Sequence, residues 1–180
     1  GDRFLLAEGE PMPAALGALG IELMVRNIRA TLERFCVRYN RWYSEKSLYN
    51  PEGAYATAIE VLREKGMLAE REGALWFTSS ELGEDKDNVV VRSDGRPTYY
   101  ASDIAYHWDK FVRREFDLVI DVWGADHHGH VSRLKTATGA IGGDPNALHV
   151  LLYQLVFLNR GGEAVKIAKR SGEFVKLDDL

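Results

Sequence analysis

Residues 116–158 constrain the fold more than any other stretch of the chain. Phe116 to Trp123 is an apolar run of strand length. Gly129 to Ile141 places Val131, Leu134, Ala137 and Ile141 on one helical face, and Gly142-Gly143-Asp144-Pro145 ends that helix. His149 to Leu158 is a second apolar run. Two apolar strands joined by a helix predict a parallel pair, both strands buried, with a right-handed crossover. Sheets of this kind take ligands at the carboxyl ends of their strands. The exit of the first strand, Gly124-Ala125-Asp126-His127-His128-Gly129-His130, is therefore where chemistry is expected.

Each residue of that exit admits a functional and a plainer reading. Gly124 lets a ligand approach the backbone closely. Asp126 either accepts the hydroxyls of a ribose or caps the following helix, and spacing alone leaves both open. His127, His128 and His130 suit hydrogen-bond donors lining a nucleotide pocket, with His130 able to reach phosphates from the first helical turn. Their rival reading is a metal site, but structural zinc wants four ligands. No CxxC or HExxH partner is present, and the single cysteine, Cys36, is distant in sequence. Lys166 and Lys169 flank Ile167-Ala168, with Gly161-Gly162 before and Gly172 after. Two ammonium groups on so deformable a loop can reach a triphosphate, although an isolated run of this kind is also what a hydrated surface looks like. Tyr99 and Asp103 stand at the opening of a helix predicted over 102–114. Together they could stack on and pair with a guanidinium, or serve as a buried tyrosine and a capping aspartate.

The remainder reads as α+β. A helical stripe of Ile21, Met24, Ile28, Leu32 and Phe35 is followed by alternation at Phe35, Val37 and Tyr39, a strand signal over 35–43. Cys36 reads as a small core residue. A second helix is expected over 54–65 with Gly66 closing it. Arg71-Glu72-Gly73 reads as a turn between strands 67–70 and 74–78, and Ser93-Asp94-Gly95-Arg96 as a hairpin turn between 89–92 and 97–100. Residues 79–88 read as solvated loop. With 46% apolar residues a packed core is expected; the net charge of −4 advertises no broad nucleic-acid surface. No apolar run is long enough to span a membrane, and one unpaired cysteine fits a reducing cytoplasm.

The runs TYYASDIAYHWDKF (98–111), FDLVIDVWGADHHGHVSRLK (116–135) and VKIAKRSGEFVKLDDL (165–180) together resemble the catalytic domain of arginyl-tRNA synthetases, as do FCVRYNRWYSEKSLY (35–49) and LGEDKDNVVVRSDGRPTYY (82–100). The resemblance implies an α/β fold: an incomplete, split Rossmann-type parallel sheet with an α+β insertion. It implies ATP-dependent activation of L-arginine to an adenylate, then transfer to arginine tRNA, with Mg2+ accompanying ATP and no protein ligand for it. On this basis Gly124, Asp126, His127 and His130 would face ATP; Tyr99, Asp103 and His127 would face arginine; and Lys166 and Lys169, in the place of the KMSKS-type loop, would act on the phosphates. Ile167 and Ala168 depart from the family's methionine and serine. No HIGH-type HxGH motif precedes His107, the first histidine. Residues 1–88 are therefore expected to be the insertion and 89–180 the second half of the catalytic domain. The isolated chain is expected to be inactive and to self-associate through the face the other half would cover. A non-catalytic binding module derived from a synthetase, and a His-based metal domain, are the alternatives.

Overall fold

The computed structural model describes residues 12–154, 159–160, 163–164 and 177–179. The chain divides into two compact units, Tyr43–Phe157 and Gly1–Trp42 with Leu158–Leu180. In the latter, α1 (Met12–Arg34) ends where Cys36 takes a left-handed backbone (φ 58°). The Cys36 amide bonds the Glu33 carbonyl and the Val37 amide the Leu32 carbonyl, the pairing that closes a helix C-terminus. This corrects two expectations. Cys36 is exposed rather than core, and 35–43 is not a strand, because the alternation begins on a helix cap and joins no sheet among the described residues. The stripe of α1 is also uncovered among the described residues: Ile21, Met24 and Ile28 are all exposed. Arg29 instead lies 4.6 Å over the Trp42 ring, and Asp178 accepts from Thr31 and Arg34.

The larger unit opens with α2 (Ala54–Glu64), closed by Gly66 at φ 70° as expected. β1 (Leu68–Arg71) and β2 (Ala74–Phe77) pair antiparallel across Glu72 and Gly73, both at positive φ, the backbone a two-residue hairpin turn requires. β3 (Asn88–Val91) adds to β2. The loop between them is tied down: Asp87 accepts from the Ser80 amide and hydroxyl and pairs with Arg71. The second hairpin is cut short. Only Val91 and Pro97 form a bridge. The amides of Arg92 and Thr98 close the bonds on either side of this pair, and the pairing stops there because a helix begins at Tyr99. Thr98 then caps α3 (Tyr99–Trp108), accepting from the Ala101 amide, so this helix starts three residues before the expected 102. It runs into a π-helical turn, Asp109–Arg113.

β4 (Val119–Gly124) and β5 (Leu148–Tyr153) pair in parallel, in register Val119 to Leu148 through Gly124 to Tyr153. Between them a short 3-10 segment, Ala125–His130, leads into α4 (Val131–Ala140). This is the predicted strand–helix–strand unit; β4 is shorter than expected, and residues 155–158 of the second expected strand lie outside the described residues. Small residues of α2 (Ala54, Ala58) and α3 (Ala101, Ala105) let those helices approach over a core that includes Leu62, Ile104, Phe77 and Val90. Val119, Leu134 and Leu148 form a second buried cluster between α4 and the parallel pair. The expectation that both strands are buried holds on the α4 side and not on the other, the face expected to await the other half of the domain. Ile120, Val122, Leu151 and Tyr153, on the face turned from α4, are 54, 64, 57 and 54% exposed. Helix α4 covers one face and nothing among the described residues covers the other.

Candidate functional site

A cavity of about 490 Å³ opens where β4 ends. One wall is α3. Tyr99 and Asp103 are four residues apart and so share its face. Tyr99 stands 80% exposed, contrary to a buried tyrosine, and both residues line the cavity. The floor is Val122, Trp123 and Gly124 of β4, and the far wall is His127, His130 and Arg133. Five of the residues singled out in the sequence (Tyr99, Asp103, Gly124, His127 and His130) thus meet in one place, although they come from stretches more than twenty residues apart. Asp126 does not line the cavity; its side chain is 69% exposed, 3.8 Å from His127 Nε2. His128 donates from Nδ1 to the Ala125 carbonyl and is not among the lining residues. Lys166 and Lys169 lie outside the described residues.

Five residues that sequence reasoning did not single out organise this site. Tyr100 is buried, donates its hydroxyl to the Arg133 carbonyl at 2.8 Å, and carries the Arg133 guanidinium 5.0 Å above its ring. Burial pushes the Tyr100 hydroxyl up, so it stays a donor. Behind α3, His107 is 3% exposed. Its Nδ1 lies 2.8 Å from the Asp103 carbonyl and its Nε2 2.9 Å from Asp121 Oδ2, both acceptors. Lys110 donates to the other Asp121 oxygen at 2.7 Å. Burial works to raise the Asp121 carboxyl, but His107 and Lys110 prevail and hold it down to about 2. The sequence held one signal of this network, a polar Asp121 inside an otherwise apolar strand.

Asp103 experiences the opposite balance. Its side chain is exposed to the cavity, yet crowding by its neighbours costs it part of its hydration and pushes its carboxyl above the usual range; the nearby charges of His107 and Arg133 pull it back. A partly dehydrated carboxylate beside an exposed tyrosine face suits a flat organic cation. His130 is moved the other way: dehydration, Arg133 and His127 all lower its affinity for a second proton. Among the described residues no three His, Cys, Asp or Glu side chains gather closely enough to hold a metal. No described helix is long and apolar enough to cross a membrane.

A cavity at the carboxyl end of a parallel strand, walled by the helix that follows it, is where α/β domains take their ligands. The family described as class I tRNA synthetases (R), catalytic domain, matches residues 19–180, and the chain belongs to it. Arginine–tRNA ligases of Carboxydothermus hydrogenoformans and Desulforudis audaxviator are each 52% identical over all 180 residues. The chain spans 32% of the length of these relatives. A Campylobacter jejuni protein described as an arginyl-tRNA synthetase superposes over 99% of this chain and 38% of its own, with TM-score 0.84 and 37% identity. The Thermus thermophilus arginyl-tRNA synthetase shares the fold over 79% of this chain and 32% of its own, with TM-score 0.64 and 19% identity.

Proposed function

We propose that this segment supplies the ribose-facing and side-chain-facing part of an arginine–tRNA ligase active site. In that reaction an oxygen of the arginine carboxylate attacks the α-phosphorus of ATP, pyrophosphate leaves, and the resulting arginyl-adenylate passes its acyl group to arginine tRNA. The observation that carries the proposal is the meeting of Tyr99 and Asp103 with Gly124, His127 and His130 around one cavity at the end of β4. Asp103 takes the guanidinium in a charge-assisted pair, with Tyr99 stacked against it. Gly124 admits the nucleotide to the strand end, Asp126 turns from its exposed position to the ribose hydroxyls, and the histidines donate to oxygens. Lys166 and Lys169 meet charge developing on the leaving pyrophosphate. Magnesium, brought by the triphosphate and coordinated by phosphate oxygens and water, supplies further charge neutralisation.

Residues 1–88 serve in this reading as the insertion and 89–180 as the second half of the catalytic domain, acting in the cytoplasm. The apolar face of Ile120, Val122, Leu151 and Tyr153 is covered by the rest of that domain in a longer protein, since parallel sheets are ordinarily buried on both sides. Exposed in the 180-residue chain, the same face promotes self-association. No HxGH motif precedes residue 100, and the chain alone does not catalyse arginine-dependent ATP–pyrophosphate exchange, because activation needs both halves around one ATP.

Titration of the chain with arginine, followed by NMR, tests the amino-acid side. Asp103→Asn is expected to weaken binding about tenfold or more, the cost of losing a charge-assisted pair. Because the Asp103 carboxyl is raised, binding by the unaltered chain also falls away at a higher pH than an ordinary aspartate would dictate. Equal affinities in the two proteins would reject the assignment.

A further inference from the structure

We infer that Arg133 is a positioning residue for His130: its guanidinium occupies the Nδ1 lone pair and leaves the ring a neutral donor with its proton on Nε2. The inference rests on the reading above that this cavity takes the nucleotide, and names the form in which one of its histidines meets the ligand.

The argument is one of donor and acceptor inventory. Arg133 follows His130 by three residues, so the two share a helical face. Its Nη2 is hydrogen-bonded to His130 Nδ1. A guanidinium has only donors and keeps its charge at every relevant pH, so the nitrogen it meets must present a lone pair. The remaining ring proton then sits on Nε2. The guanidinium is held on two sides: it lies over the Tyr100 ring and its Nη1 donates to Asn88 Oδ1 at 3.4 Å, while its buried Nε meets no hydrogen-bond partner among the described residues. The backbone carbonyl of Arg133 is pinned by the Tyr100 hydroxyl.

Of the other groups around His130, His127 favours the same state, and the Asp103 carboxylate alone favours the imidazolium. His127, on the turn, has its ring 5.7 Å away and adds no negative charge. Asp103 and Tyr99 line the cavity from α3, and Asp103 is the carboxylate among the cavity-lining residues. Dehydration, Arg133 and His127 each disfavour the imidazolium. A neutral donor fixes an oxygen of an anionic ligand without adding charge that varies near neutral pH.

Nitrogen-15 correlation spectra of the labelled chain, with His130 assigned through His130→Gln, read the tautomer directly. The expected result is the Nε2–H form, titrating below the ordinary histidine midpoint. Arg133→Met should release both tautomers and raise the midpoint, whereas Arg133→Lys, which restores a cationic donor, should keep the Nε2–H form. An Nδ1–H ring in the unaltered chain, or spectra unchanged in Arg133→Met, overturns the inference. Should Arg133→Met fail to fold, the unaltered chain and Arg133→Lys still decide it. ATP added to the unaltered chain tests the nucleotide reading separately: His130 signals that do not move reject that reading and leave the Arg133 assignment standing.

Discussion

The two walls of the cavity are built differently. Asp103 rides on a helix that is capped by Thr98 and tied to β4 through His107, Asp121 and Lys110, with those three side chains 4, 10 and 13% exposed. The opposite wall begins in a 3-10 turn whose Asp126 and His127 side chains are 69 and 59% exposed and approach each other only at 3.8 Å. Strand β4 serves both, anchoring α3 through Asp121 and releasing the turn at Gly124. The difference teaches that the wall proposed for the amino acid rests on a buried polar anchor, whereas the wall proposed for the nucleotide carries its side chains on an exposed turn. Preorganisation of the first lowers the cost of binding there.

The sharpest way to break this comparison is to remove the anchor. Asp121→Ala leaves the buried His107 and Lys110 without their acceptor, and losing one partner of a buried charged group costs about 3–5 kcal/mol. Asp126→Ala, on the exposed wall, should change stability by less than about 0.5 kcal/mol. Chemical denaturation of the two variants measures both. If they cost the same, the walls are not built differently and α3 is held by its apolar packing alone.

Much of this site was legible in the sequence, and the exceptions share a physical cause. The β4–α4–β5 unit, the Glu72-Gly73 turn and the Gly66 cap rest on local rules: apolar runs of strand length, paired positive φ, a left-handed helix end. The convergence of Tyr99 with Gly124 rests on no local rule; only the family resemblance anticipated it. The Cys36 cap defeated its reading because a β-like alternation of Phe35, Val37 and Tyr39 overlaps a helix terminus. The exposure of Ile120 and Val122 limits the buried-strand reading to one face, because an apolar strand reports what it is suited to contact, not whether that partner is present. Arg133 and His107 went unnoticed because their roles depend on Tyr100, Asn88 and Asp121, contacts no spacing rule encodes.

A milder perturbation sharpens the same comparison without a mutation. The Asp121 carboxyl is held down to about 2 in the folded chain, below its unfolded value near 4. A depressed carboxylate contributes stability that is present in full above the unfolded pKa and is lost as pH falls through the folded one. The window is therefore about pH 4 to pH 2, and the amount about 2 kcal/mol. Denaturation midpoints measured across this window should fall in the unaltered chain by that much more than in Asp121→Asn, which has no proton to gain there. Parallel curves would assign the acid sensitivity to other carboxylates.

The smallest effect on stability is expected at the point both walls share. Gly124 has φ −64° and ψ 145°, a backbone any residue adopts, so its value is space rather than conformation. A Cβ added there would stand 2.5 Å from Asp126 Oδ1. That atom is the end of a flexible, exposed side chain and can swing away, so Gly124→Ala should cost less than about 0.5 kcal/mol in stability. Its effect on ATP is a different matter. If Asp126 must sit over the strand end to reach a ribose, Gly124→Ala weakens ATP binding as much as Asp126→Ala does, and the double variant is no worse than either, the non-additivity of two changes acting on one contact. Calorimetric titrations of the three variants decide it. Additive losses would mean that Gly124 serves the ligand through its own backbone and that Asp126 is only the residue that happens to follow.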